Sequence, residues 1–213
     1  MKKILVMLLL LSPLSAMAQI THSSQGSLDE HAEAVLKKAA ARFDRNVGFS
    51  VTVTLLNGQQ QETLRQTAQV LYNKGKYRLS IDDQEVICDG VTVWQWNKTA
   101  REVAVNSVGT DDMDLMNPAR LLANYDRSFK AKYIRTDNGI AVVDLQPRSS
   151  CSFHKIRMLI DEKSGLLKRM EVHKYDSGRE LYDITGFKQV STPAAQFTFD
   201  TAKHPEVELI DMR

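Results

Sequence analysis

From Phe49 onward the chain sets an apolar residue at every second position, then turns on two or three residues, and repeats. Phe49, Val51, Val53 and Leu55 alternate with Ser50, Thr52 and Thr54, and Asn57-Gly58 follows. A period of two aligns side chains on one face of a strand, and Asn-Gly has the backbone freedom of a two-residue hairpin turn. The second strand ends at Tyr72, before Asn73-Lys74-Gly75. Tyr77, Leu79 and Ile81 then alternate with Arg78, Ser80 and Asp82. Val86-Ile87-Cys88 enters Asp89-Gly90, residues 91–96 leave it, and 101–105 is another short strand. After an interruption, 129–136 meets 140–146 across Asp137-Asn138-Gly139, and 154–161 meets 166–175 across Lys163-Ser164-Gly165. Residues 179–187, Phe197-Thr198-Phe199 and 207–210 complete the strands. Short turns dictate antiparallel pairing in nearly sequential order.

Two helical segments accompany the strands. Leu28, Ala32, Val35, Leu36, Ala39 and Phe43 form one helical stripe, with Ser27 as the expected N-cap and Glu30 at capping-box spacing. The second lies in the interruption at 108–125, where Asn117-Pro118 resembles a helix start and Leu115, Met116, Leu121 and Leu122 are apolar. A sheet this large curls. The expected fold is mainly β with a few helices: a curved antiparallel sheet forming an unclosed half-barrel, apolar on its concave side. Alternation marks burial, so a filled core and a partly empty cavity both fit the pattern.

The N-terminus reads as a cleaved secretory signal over residues 1–18. Lys2 and Lys3 precede an apolar run at 4–11, Pro13 breaks it, and Ala16-Met17-Ala18 is a small-x-small site. The run is shorter than the ~20 residues of a membrane span. Residues 19–26 are polar and expected to be disordered, and 27–213 form one domain. Without the signal, 26 basic residues balance the 26 acidic ones. Near neutrality without a dense basic run argues against nucleic acid as a partner.

No G-x-S-x-G, H-E-x-x-H or phosphate-binding glycine loop occurs, so no enzyme is expected, and no metal or cofactor. A three-residue loop at 163–165 pairs Met158 with Met170 and Ile156 with Val172. That register puts His154 and His173 on opposite faces. Asp111, Asp112 and Asp114 lack the glycine and terminal glutamate of a calcium loop and read as an acidic helix entry. Cys88 and Cys151 have no metal spacing, and a disulfide between them is not the favoured expectation. Trp94 and Trp96 share a face, either as core or as the wall of an apolar ligand site.

Four blocks together resemble the periplasmic outer-membrane lipoprotein carrier family of LolA type. They are NKGKYRLSIDDQEVICDGVTVWQWN (73–97), NPARLL (117–122), LIDEKSGLLKRMEVHKYDSGRELYDITGFK (159–188) and FTFDTAKHPEVELIDMR (197–213). The resemblance implies an unclosed barrel with a helical lid over an apolar cavity. It implies a monomeric periplasmic chaperone that takes acylated lipoproteins from an ATP-driven extractor in the inner membrane to an outer-membrane receptor. The alternative is a periplasmic lipid- or lipoprotein-sensing regulator on the same fold. On this reading the cavity wall is Phe49, Val51, Val53, Val70, Tyr72, Tyr77, Leu79, Ile87, Trp94, Trp96, Ile156, Met158, Met170 and Val172. The lid is Leu115, Met116, Leu121 and Leu122. The family commonly has Arg-Pro in the turn before the aromatic strand, the arginine helping to latch the lid. Here Lys74-Gly75 stands there, and lysine lacks the forked donor set, which implies a weaker latch.

Overall fold

A computed structural model of the protein describes residues 17–108, 121–122 and 125–213. Helix α1, Met17–Ala40, buries the expected stripe: Ala32, Leu36 and Ala39 are fully enclosed and Val35 nearly so. It begins upstream of Ser27, which is therefore an interior position and not the cap, and it takes in residues 19–26. No proline lies between Pro13 and Ser27, so nothing forbids the helical hydrogen-bond ladder from running further back. A short 3₁₀ turn, Ala41–Phe43, then directs Phe43 into the core.

The strands are β1 (Val47–Leu56), β2 (Glu62–Asn73), β3 (Lys76–Ile81), β4 (Gln84–Cys88), β5 (Thr92–Asn97) and β6 (Glu102–Ser107). A four-residue helix α2 (Tyr125–Ser128) leads into β7 (Phe129–Asp137), β8 (Ile140–Pro147), β9 (Phe153–Asp161), β10 (Leu167–Lys174) and β11 (Arg179–Gln189). β12 (Glu208–Asp211) is last. All twelve form one sheet in the order β12-β6-β5-β4-β3-β2-β1-β11-β10-β9-β8-β7. The sheet is curved and unclosed, with β12 and β7 at its edges. Two antiparallel meanders are thus expected and found. The join is non-local: β11 pairs with β1, Val51 facing Ile184. The last strand pairs in parallel with β6, a pairing no hairpin signal announces.

Phe197-Thr198-Phe199 is not a strand. Ala194–Phe197 and Thr201–Lys203 are 3₁₀ turns. Pro193 precedes the first, and the Asp200 carboxylate accepts from the Ala202 N–H at 3.1 Å to cap the second.

Cross-strand partners share a face, so the ladders sort the side chains. Phe49, Val70, Leu79 and Val86 form one row, on the concave side with α1. Gly48, Leu71, Arg78, Ile87, Trp94 and Val105 form the next row, on the opposite side. The concave side holds the main core, where α1 lies against β7 and packs over Val143, Leu145, Ile156, Met158 and Ile160, all with 0% exposure. The convex side carries a smaller apolar layer of Ile87, Val103 and Val105 beside the wholly buried Phe197. Arg78 donates to the Gln196 carbonyl at 3.3 Å, fixing the C-terminal segment across this side.

Candidate functional site on the concave face

Between β1–β3 and β10–β11 the concave side keeps a small gap in its packing. An apolar pocket of about 50 Å³ is lined by Phe49, Val51, Val53, Val70, Leu79 and Met170 from the expected wall. Ala68, Ile81, Leu167, Tyr182 and Ile184 complete it and are additions to that wall. The sequence carries a signal for them: Tyr182 and Ile184 continue a period of two in β11, and Ala68 is the inward residue between Thr67 and Gln69. Ala68 is small, which leaves room opposite Val51. Tyr182 brings a hydroxyl, but it donates to Glu180 Oε2 at 2.7 Å, and Glu180 is also paired with Lys174 at 2.6 Å. Burial, with the carboxylate second, pushes this phenol far above its ordinary range. Its hydrogen is therefore committed within the protein, and the wall it presents is apolar.

The other expected wall residues divide into three groups. Tyr72 and Tyr77 share the concave face at one end, where the Tyr72 ring meets Phe43 edge-on at 5.7 Å and its hydroxyl accepts from the Gly75 N–H at 2.8 Å. Burial raises the pKa of that phenol too. Ile156, Met158 and Val172 share the face but lie in its filled half, with 0 to 1% exposure. Ile87, Trp94 and Trp96 are on the convex side and are not part of the pocket. Tyr77 pairs with Cys88 and Leu79 with Val86, so Val86 and Cys88 take the concave positions. Trp96 packs instead against Phe199 at 5.3 Å and His204 at 4.5 Å. Below it, Glu85 is held between Arg78 and Lys98.

Of the expected lid, Leu121 and Leu122 are helical and buried in the core, at 0% and 2% exposure. Leu115 and Met116 lie outside the described residues, as do Asp111, Asp112 and Asp114. Lys74 is exposed at the β2–β3 turn with φ of 47°. His154 and His173 are not on opposite faces: their rings are 6.0 Å apart, because a register shift between His173 and Lys174 reverses the parity at the end of β9. Burial, then Lys155, lowers the pKa of His173. Among the described residues no group of three metal-ligand side chains occurs, and no helix is long and apolar enough to cross a membrane.

An open β-sheet curved over an apolar face, with helices packed on it, defines the class as the half-barrel of lipoprotein-carrier type. The family model described as "Outer membrane lipoprotein carrier protein LolA" matches residues 75–200, more than half of the chain, and the protein belongs to that family. No curated protein matches the sequence. Among solved structures, an uncharacterized conserved protein from Thermus thermophilus is similar with a TM-score of 0.59 at 9% identity, covering 85% of this chain and 99% of that one. A LolA superfamily protein from Nitrosomonas europaea has a TM-score of 0.46 at 13% identity, covering 79% and 98%. MucB has a TM-score of 0.46 at 14% identity, covering 80% of this chain and 63% of MucB. At these identities the likeness is one of fold.

Proposed function

We propose that the protein is a periplasmic carrier that shelters the acyl chains of lipoproteins against the concave face of its sheet. The supporting observation is the pocket wall itself, whose phenol has its hydrogen bond inside the protein. On this reading it receives lipoproteins from an ATP-driven extractor in the inner membrane and yields them to a receptor at the outer membrane. It binds and releases without chemistry.

The pocket, at about 50 Å³, is smaller than an acyl chain. Loading therefore displaces part of the cover, a role this reading gives to Leu121 and Leu122 of the expected lid, which are buried in the core. Re-exposing two leucines costs about 3–6 kcal/mol, while sheltering roughly 16 carbons at about 0.8 kcal/mol each returns about 13 kcal/mol. The exchange favours loading, and re-closure of the cover offsets part of the cost of release.

Val53 is half-buried at the pocket, so a charge placed there still reaches water. Val53→Asp is expected to reduce capture of an acylated lipoprotein from inner-membrane vesicles at least about tenfold, with a melting temperature within a few degrees of wild type. Wild-type protein that leaves the lipoprotein in the vesicles would exclude the carrier reading.

A further inference from the structure

A second cleft, of about 490 Å³, opens where the end of α1 meets the β9–β10 turn and the end of β11. Its floor is apolar: Val47, Leu166 and Phe187. Its rim carries Lys38, Arg42, Arg45 and Lys188, with no carboxylate among the lining residues. Four like charges around one opening repel one another unless something offsets them. Two of the four have fixed positions. Lys38 Nζ donates to the Glu162 carbonyl and Arg42 Nε to the Ser164 carbonyl, each at 2.5 Å. Each bond uses one donor and leaves the rest of the ammonium and guanidinium donors open.

The wall behind them is tight. A Cβ on Gly165 would sit 2.8 Å from Lys38 Cγ and 3.0 Å from the Lys38 carbonyl oxygen, and Gly165 has φ of +72°. Arg45 and Lys188 make no ion pair with any described residue. Of the nearby carboxylates, Glu162 Oε1 accepts from His31 at 2.8 Å and from Thr136 at 2.9 Å, and the exposed Asp44 is not among the residues that line the cleft.

A plainer role for these cations is to offset the carbonyl end of α1. That end amounts to about half a negative charge, against four full positive ones, and Arg45 and Lys188 lie beyond the helix. The floor also leads toward the first pocket, since Phe187 stacks on Phe49 with centroids 5.7 Å apart. An apolar floor under a cationic rim matches an amphiphile with an anionic head.

We propose that this cleft is an anion site for a phosphate ester, with the headgroup of an anionic phospholipid as the ligand that uses both rim and floor. Arginine supplies paired donors to phosphate oxygens, and lysine supplies point charge. The anion site stands independently of the carrier reading and rests on it only in directing the ligand's acyl part past Phe187 toward Phe49.

The test is calorimetric titration of the full protein with three probes. These are dihexanoylphosphatidylglycerol below its micellar concentration, dihexanoylphosphatidylcholine, and inorganic phosphate. The glycerol lipid should bind, more tightly than either other probe, and more weakly as salt is raised. The double variant Arg45→Gln/Lys188→Gln should weaken it about tenfold or more without moving the melting temperature. Inorganic phosphate binding as tightly as the lipid, and equally sensitive to the variant, would support the anion site and assign it to soluble phosphate esters. Failure of both anionic probes to bind, or a double variant that binds them as wild type does, would overturn the proposal. Lipoprotein capture by the wild-type protein is read separately. Capture without binding of either anionic probe leaves the carrier standing and removes this site, and binding of an anionic probe without capture does the reverse.

Discussion

Val53 and Met158 point to the same side of the sheet, yet a change at each has a different consequence. Met158 has 0% exposure beneath α1, and Met158→Ala should lower unfolding free energy by about 2–5 kcal/mol in urea titrations. Val53→Asp should cost much less stability and instead weaken acyl capture by the tenfold or more given above, because Val53 is half-buried at the pocket. The alternation in β1 and β9 is enough to put both residues on the concave side, and it is silent on which half is filled. Filling is decided by where α1 settles, a long-range fact with no period of its own. The tryptophans show a different limit. Val86-Ile87-Cys88 is apolar on both faces, so alternation there does not distinguish inside from outside. Both faces are apolar because each is covered, one by the core and the other by the tail that carries Phe197 and Phe199.

At the scale of elements, α1 and the C-terminal segment each hold one side of the sheet. The α1 contact includes His31 on Glu162, and that hydrogen bond, more than the one from Thr136, lowers the Glu162 pKa. A lowered carboxyl pKa stabilises the fold above its ordinary value of 4.5 and loses that contribution as pH falls through the folded value beneath it. Wild type should therefore lose more stability than Glu162→Gln on acidification below about pH 4.5, read from urea midpoints at each pH. On the convex side, Phe197 is wholly buried. Phe197→Ala should cost about 3–5 kcal/mol, detected as an earlier melting transition. A polar stretch opened by Pro193 gives little sign of such an anchor. The hairpins are legible because Asp89-Gly90, Asn138-Gly139 and Gly165 write their turns locally, whereas the tail's placement depends on β6 far upstream.

For the molecule as a whole, the order of strands decides which distant parts of the chain can meet. Cys88 ends β4 and Cys151 precedes β9, six strands away across the sheet. At roughly 4.8 Å per strand that is about 29 Å measured along the curved sheet, against the ~7 Å a disulfide spans, and both cysteines are free. Thiol counting in denaturant without reductant should return both cysteines as thiols, and a single bridged species would contradict the strand order. The β1–β11 ladder ties residues 47–56 to 179–189, so the sheet is continuous only after most of the chain is made. Folding should then be slow for the protein's size, as it is wherever long loops close before contacts reward them. The gap between the β12 and β7 edges has a mechanical meaning. Among the described residues no ladder crosses it, so the two rims can spread or approach by changing the curvature of the sheet without breaking a ladder between them. A closed barrel of the same strands would have a fixed bore, whereas this one behaves as a spring clip whose grip adjusts to the width of what it holds.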